Sequence, residues 1–447
     1  MKRILFISIA FLLTSCGARE VIPHFTKTSD IYGLASVVQL SGTETEVILK
    51  DYFMDVNRID SIVAPKVFSV EVAPDKTVVW LKAENNDIPK FSELKVWDNG
   101  TGYSIPMRKS RKQSVEFTYQ PKNKQPKTVQ LAGQINDWNP SKTNLKKVDG
   151  VWKTTLWLNP GKYHYQVVVD GKWILDSANP EMEDNNIGGV NSVLRIKGGN
   201  PDLLPFIYTA STKCKKIHLG FQNAVDELFV YWENYRLNDE FVSINGNEAT
   251  IIIPANASGL KRSHIRVWAY NSEGESNDLI IPLEKRSAVT ATSQLNRSDL
   301  YTQIMYSLMV DRFYNANLEN DQPVNDPEIH PKANYYGGDI AGITQKIEDG
   351  YFDSLGIRTI WVSPITQNPL GAYGLYPNPR TKFSGYHGYW PISSSKVDFR
   401  FGTSDDVHRM LDEAHKRDIN VILDYVANHV HQEHPLYKNH PDWVTPL

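Results

Sequence analysis

"INVILDYVANHV" (Ile419–Val430) runs from an aliphatic stretch straight into an acid, an amide and an imidazole, and the fold is decided by what precedes it. Two other apolar runs stand upstream, "IMYSLMVDRF" (Ile304–Phe313) and "IRTIWVSPI" (Ile357–Ile365), and the stretches between the three have helical spacing. In "ITQKIEDGYFDSLG" (Ile343–Gly356), Ile343, Ile347 and Leu355 fall on one side of a helix that a glycine stops. In "TSDDVHRMLDEAHKRD" (Thr403–Asp418), Thr403 or Ser404 can cap, Asp405 and Asp406 favour the first turn, and Val407, Leu411 and Ala414 line one face. Strand, helix, strand, helix, strand with near-continuous apolar strands predicts a parallel sheet covered on both faces, hence α/β.

Functional groups on such sheets collect at the C-terminal strand ends. The candidate loops are therefore "VDRFYNANLEND" (Val310–Asp321), "WVSPITQNP" (Trp361–Pro369) and "DYVANHVH" (Asp424–His431). Strand alternation puts Asp424, Val426 and Asn428 on one face, with His429 reaching over it from the strand end. Burying such polar groups is costly unless they bind something or tie down a loop.

Upstream, from Val21 to Val289, the grammar differs: short period-2 runs such as "VFSVEV", "VQLAGQ", "ELFVYW" and "HIRVWAY" alternate with Gly, Asn, Asp and Pro. Punctuation at "YQPKNKQPK" (Tyr119–Lys127) and "KGGNPDLLP" (Lys197–Pro205) divides this region into three modules of about 90 residues, each the size of a small immunoglobulin-like β-sandwich. The expected boundaries are 1–20 for a leader, 21–115, 116–198 and 199–290 for the sandwiches, and 291–447 for the α/β part.

A formal net charge of −3 leaves no basic excess to neutralise phosphate, which argues against a nucleic-acid partner. The first twenty residues, "MKRILFISIAFLLTSCGARE", join a basic start (Lys2, Arg3) to an apolar run and a small-residue site. The run is shorter than the roughly 20 apolar residues of a membrane-spanning helix, so it predicts an export signal. "LTSC" resembles the bacterial lipobox, which implies lipidation at Cys16 and an exported, membrane-anchored lipoprotein, periplasmic or at the cell surface. Cys214 then has no partner, and folding must rest on cores rather than disulfides.

"DYVANH" (Asp424–His429), together with "VDRF" (Val310–Phe313), "YYGGDIAGI" (Tyr335–Ile343), "LGIRTIWVSPI" (Leu355–Ile365) and "YHGYWP" (Tyr386–Pro391), resembles the alpha-amylase family of glycoside hydrolases, in the family's order and spacing. The resemblance covers nearly all of residues 301–447 and implies a (β/α)8 TIM barrel acting on α-glucans with retention of configuration. A TIM barrel takes some 250 residues and eight strands, whereas Tyr301–Leu447 supplies about three, so the barrel is expected to be incomplete. Retaining glycosidases use two carboxyl groups about 5 to 5.5 Å apart. In this family they lie on the fourth and fifth strands, with a further Asp after the seventh. None of these motifs is matched here, so no catalytic residue is assigned, and these residues alone are expected to recognise glucan without cleaving it.

The resemblance assigns recognition instead. Tyr389 matches an aromatic platform beneath a sugar ring, and His387 and His429 match imidazoles that bond sugar hydroxyls. Asp424 matches a carboxylate supporting the site, paired with an Arg of the fourth strand, and Asn428 matches a calcium ligand. Calcium is also suggested by the loop itself, since Asn315, Asn317, Asn320 and Asp321 are hard oxygen donors within seven residues. Gly337 and Asp339 complete the pattern of a site found in cyclodextrin glucanotransferases. The branch most resembled is that of cyclomaltodextrinases and neopullulanases.

"LAGQINDWNP", "GKYHYQVVVDGKWILDSANP" and "GGVNSVLRI" in the second sandwich resemble a glycogen-binding module, which implies Trp138 and Trp173 stacking on glucose and Asn191 bonding hydroxyls. One departure is Gln166, where glycogen-binding relatives carry Lys. Taken without the resemblance, the two tryptophans fit a core or a domain interface equally well.

The leading expectation is thus an exported α-glucan hydrolase acting on starch, glycogen, maltodextrin or cyclodextrin by double displacement. Branching or transglycosylation is one alternative, and a non-catalytic glucan-binding lipoprotein another. A third is a zinc hydrolase built on His429, His431, Glu433 and His434 of "HVHQEH".

Overall fold

The computed structural model describes residues 33–445 except 42–43, 84–87, 122–125, 186–188, 378–379; Cys16 and the leader lie outside the described residues. The chain divides into two compact units, Met1–Ala288 and Val289–Leu447.

The first unit contains three pairs of sheets, each closed over its own apolar core. The second pair positions a candidate site. Its larger sheet runs Lys172–Ile174, Gly161–Val169, Val190–Ile196, Met182–Asp184, with Val129–Gly133 also paired to Gly161–Val169. Alternation along Gly161–Val169 sends Tyr165 and Val167 into the core and leaves Lys162, His164 and Gln166 on the opposite face. Sequence punctuation gave no sign that the first and third sheet pairs share apolar surface. Phe91 packs with Tyr231, Trp268 and Tyr270, Asn234 holds Gly33 and Ala35, and an ion pair joins Arg108 to Glu275.

In the second unit three parallel strands lie in the order Ile304–Leu308, Ile357–Val362, Asn420–Leu423, with Leu308 opposite Val362 and Val362 opposite Leu423. The helices Ile340–Glu348 and Ser404–Lys416 supply Ile343, Ile347, Met410 and Ala414 to a core that also holds Ile360 and Val362. Thr403 is the cap: its hydroxyl accepts from Asp406 N while Asp406 accepts from Thr403 N, a reciprocal box.

Several expectations need correction. The helix from Ile340 stops at Glu348, because Gly350 takes φ +74°, and a separate turn, Tyr351–Ser354, buries Phe352 and leaves Leu355 exposed. Met410 and Ala414 are the fully buried residues of the second helix, and Leu411 is only partly buried. The sheet is covered on one face only: Met305, Trp361 and Ile422 are 49%, 41% and 42% exposed on its strands. Finally, strand geometry ends at Leu423, so Asp424, Val426 and Asn428 lie in irregular chain, where alternation no longer fixes their directions. The last ladder bond is Asp424 N to Val362 O, 2.9 Å.

Candidate functional site: an aromatic shelf, a polar cradle and a tryptophan pair

Three predicted residues of the second unit come together around Tyr389. Its hydroxyl donates to Asp424 Oδ2 at 2.7 Å, its backbone N–H donates to His387 Nδ1 at 2.9 Å, and its carbonyl lies 2.8 Å from His429 Nε2. Asp424 is thus paired with a tyrosine. Tyr389 is left 39% exposed, with its hydroxyl fixed. The bond to Asp424 raises the Tyr389 phenol above its ordinary range.

The turn that carries this shelf depends on Gly388, at φ +88°, where a Cβ would lie 2.2 Å from Pro364 O. Asn368 fixes its far side: fully buried, it accepts from Trp390 N at 2.8 Å, donates its side-chain amide to Thr366 O, and gives its own N–H to Asp398. Sequence reasoning missed Asn368 and Asp398. A polar residue immediately before Pro369, after an apolar strand, was the only signal available.

His387 packs edge-on to Trp390 at 4.8 Å and nearly parallel to Tyr389 at 6.0 Å. Burial pushes its imidazole down to about 4, and the hydrogen bond accepted at Nδ1 also favours the neutral ring. His387 is therefore neutral near pH 7 and able to donate from Nε2. Because its folded value lies below the unfolded 6.5, the unfolded chain binds the extra proton first. Stability should fall as pH drops from about 6.5 towards 4, with His431 and His434, also lowered by burial, adding in the same direction. Thermal melting of the protein and of His387→Gln between pH 7 and 4.5 checks this. The variant should lose less stability on acidification, and NMR titration of the His387 ring should show no protonation above pH 5.5.

The loop Asn315–Asp321 closes on Gly337. Asn315 Nδ2 donates to both oxygens of Asp321 at 2.9 Å, while Oδ1 of Asn315 and Oδ1 of Asn320 are buried without a hydrogen-bond partner. A Cβ on Gly337 (φ +88°) would sit 2.2 Å from Asp321 Oδ1 and 2.4 Å from Asn315 Nδ2, so only glycine leaves this cradle open. The other two predicted ligands have structural roles as well. Asn317 Oδ1 accepts from Glu319 N, and Asp339, with no exposed surface, accepts from Asn317 N at 2.7 Å, Gly342 N at 2.6 Å and Ala316 N at 3.2 Å. Beside the cradle Asp311, unremarked in the sequence, accepts from Tyr336 N and Gly337 N and meets Arg312 at 3.1 Å; burial raises it to about 6. Asn428 is exposed, and among the described residues no hydrogen bond links it to this loop.

The zinc arrangement does not form. His429 Nε2 lies against the Tyr389 carbonyl, His434 caps the turn Pro435–Asn439 and bonds Ser394, and Glu433 is held by Tyr373. Among the described residues no group of three or more His, Cys, Asp and Glu could hold a metal.

In the second sheet pair of the first unit, Trp138 and Trp173 are near-parallel, their ring centroids 6.4 Å apart and planes at 22°. They are 38% and 46% exposed, which removes them from the core. Trp173 stands opposite Val168 in the sheet register. Trp138 projects from a loop in which Asp137 and Trp138 both have positive φ, pinned by buried Asn136 through bonds to Leu131 O, Thr143 Oγ1 and Gly133 N. Asn191, only 5% exposed, accepts from Gln166 Nε2 at 3.0 Å, so the residue that departs from the lysine pattern orients the predicted hydroxyl-binding amide.

Comparison with known proteins places these two regions. Residues 307–443 match the family model "Alpha amylase, catalytic domain". The C-terminal segment is thus similar to the alpha-amylase catalytic domain. Residues 114–201, which carry the tryptophan pair, match the model "Glycogen recognition site of AMP-activated protein kinase". The chain is similar to an alpha-amylase of Niallia circulans, 33% identical over 145 residues, covering 32% of this chain and 27% of that protein. It is also similar to a cyclomaltodextrin glucanotransferase of Geobacillus stearothermophilus, 32% identical over 152 residues, covering 34% of this chain and 21% of that protein. The chain thus spans about a quarter of the length of these curated relatives. A solved maltogenic amylase from S. marinus aligns over 75% of this chain and 51% of its own at 22% identity and a TM-score of 0.32. No helix of the described residues is long and apolar enough to cross a membrane.

Proposed function

We propose that the chain is the glucan-recognising portion of an exported α-glucan hydrolase that works by retaining double displacement. The observation that carries this reading is the knot of Asp424, His387 and His429 on Tyr389, which fixes an exposed aromatic shelf between two imidazoles. An aromatic edge or face packs on the C–H surface of a sugar, and imidazoles and a carboxylate bond its hydroxyls. The half-open sheet fits an incomplete (β/α)8 barrel, since Met305, Trp361 and Ile422 form apolar surface that further strands would cover. The paired carboxyl groups of the double displacement are assigned to those further strands. This chain then binds without cleaving.

The donor set suits calcium: unpartnered amide oxygens of Asn315 and Asn320 and the carboxylate of Asp321 are hard ligands, and Gly337 keeps room between them. Such an ion would neutralise Asp321 and brace the loop. Trp138, Trp173 and Asn191 form a separate glycogen- or starch-binding surface, and lipidation at Cys16 anchors the protein to a membrane. Similarity to a glucanotransferase favours glucan transfer as the second reading.

Electrophoresis in gels containing starch or glycogen tests the proposal. The chain should be retarded relative to its migration in plain gels and release no reducing sugar. Unretarded migration would remove the recognition role, and release of reducing sugar would remove the recognition-only role.

A further inference from the structure

The third sheet pair carries a second pair of rings with the geometry of Trp138 and Trp173. Phe206 and Tyr208 stand on the strand Phe206–Lys213 with ring centroids 6.5 Å apart and planes at 26°, against 6.4 Å and 22° for the tryptophans. Their exposures, 50% and 46%, are those of a surface pair, whereas Ile207 between them is buried at 1%. Period-2 alternation explains the split, and it puts both rings on the outer face of the sheet Phe206–Lys213, Lys216–Gln222, Glu248–Ile252, Val242–Asn245.

Local structure holds Tyr208 down. Its register partner is Gly220, where a Cβ would lie 2.4 Å from Tyr208 Cζ and 2.5 Å from its hydroxyl oxygen, so the ring lies on bare backbone. A ring clamped on one side offers its other side to a ligand at little cost in rotamer entropy. The same face places an amide, Gln222, opposite Phe206, and a hydrogen-bonded imidazole and hydroxyl, His218 and Thr250 at 3.1 Å, one step beyond Gly220. Stacking rings beside an amide, a hydroxyl and an imidazole suit a sugar chain, which is apolar on its ring faces and hydroxylated at its edges. The lysines of this face, Lys213 opposite Lys216, stand at the far end of the strand from the two rings.

We propose that this face is a second α-glucan platform, with Phe206 and Tyr208 as its stacking residues. It rests on the reading of the tryptophan pair as glucan-binding, because the matching ring geometry is what selects the ligand. Two platforms on one compact unit can engage one polymer at once, which raises affinity for long chains more than for short ones.

The test uses the full chain, with amylose and maltoheptaose as probes. Phe206→Ala/Tyr208→Ala should weaken amylose retardation about threefold to tenfold and change maltoheptaose affinity less. Trp138→Ala/Trp173→Ala should leave residual retardation that the quadruple variant lowers further, to what the Tyr389 shelf alone supplies. Tyr208→Phe, which keeps the ring, should bind as the parent does. Parent-like retardation of Phe206→Ala/Tyr208→Ala overturns the proposal while leaving the tryptophan site intact. So does a dimer that this variant converts to monomer without loss of binding, which would make the face a contact between copies. If the parent chain shows no retardation, both the platform and the glucan-binding reading beneath it fall.

Discussion

Asp339→Ala should cost the second unit about 3 kcal/mol of stability, since hydrogen bonds to a charged acceptor contribute roughly 1.5–3 kcal/mol and a lost helix cap about 1 kcal/mol. Asp339 caps the helix Ile340–Glu348 through Gly342 N and holds the loop through Ala316 N and Asn317 N. Truncation orphans these donors at once, in a place with no exposed surface for water to replace them. The carboxylate also faces the positive end of the helix dipole, so Asp339→Asn, which keeps an acceptor oxygen but no charge, should recover only part of the loss. Because the chain has two compact units, one melting curve need not be two-state, and hydrogen exchange at the amides of Ile343–Glu348 is the better measure. Protection there should fall by about two orders of magnitude, in line with that energy. Unchanged protection would mean that the backbone network is not what holds the loop.

The same residue shows what a sequence can disclose. Asp339 appeared as one oxygen in a metal-binding pattern, and its backbone bonds could not be seen, because they depend on a loop more than twenty residues away folding back onto the helix start. The strands Ile304–Leu308, Ile357–Val362 and Asn420–Leu423 were legible from apolar runs, and the cap at Thr403 from its spacing to Asp406. Leu355 and Leu411 were misplaced because helical periodicity was carried through Gly350 in one case and set one residue off in the other, where Met410 took the core position. Asp424 was legible as a polar residue at a strand end, but its direction was inferred from strand alternation beyond the strand's end; the partner it finds, Tyr389, is 35 residues away. Asn368 and Asp398 escaped because a backbone N–H bonded to a buried acid thirty residues away leaves no local pattern. The contact between the first and third sheet pairs escaped for the same reason: Phe91 and Trp268 each look like ordinary strand residues.

Trp138→Ala/Trp173→Ala should lower affinity for glycogen on the order of a hundredfold while leaving thermal stability nearly unchanged. Aromatic anchors at binding surfaces commonly lose 2 kcal/mol or more on truncation, about thirtyfold each, and two rings that grip one chain need not be additive. The near-null effect on stability follows from exposure: 38% and 46% of these side chains already meet water, and Asn136, not Trp138, pins the loop. Asn191→Ala offers the contrast. It is buried and accepts from Gln166, so its removal should weaken both binding and folding. Isothermal titration with maltoheptaose, together with melting of each variant, separates the two cases. If the tryptophan variant melts well below the parent chain and binds glycogen as before, the rings are packing elements, and the surface that grips glucan lies elsewhere on the chain.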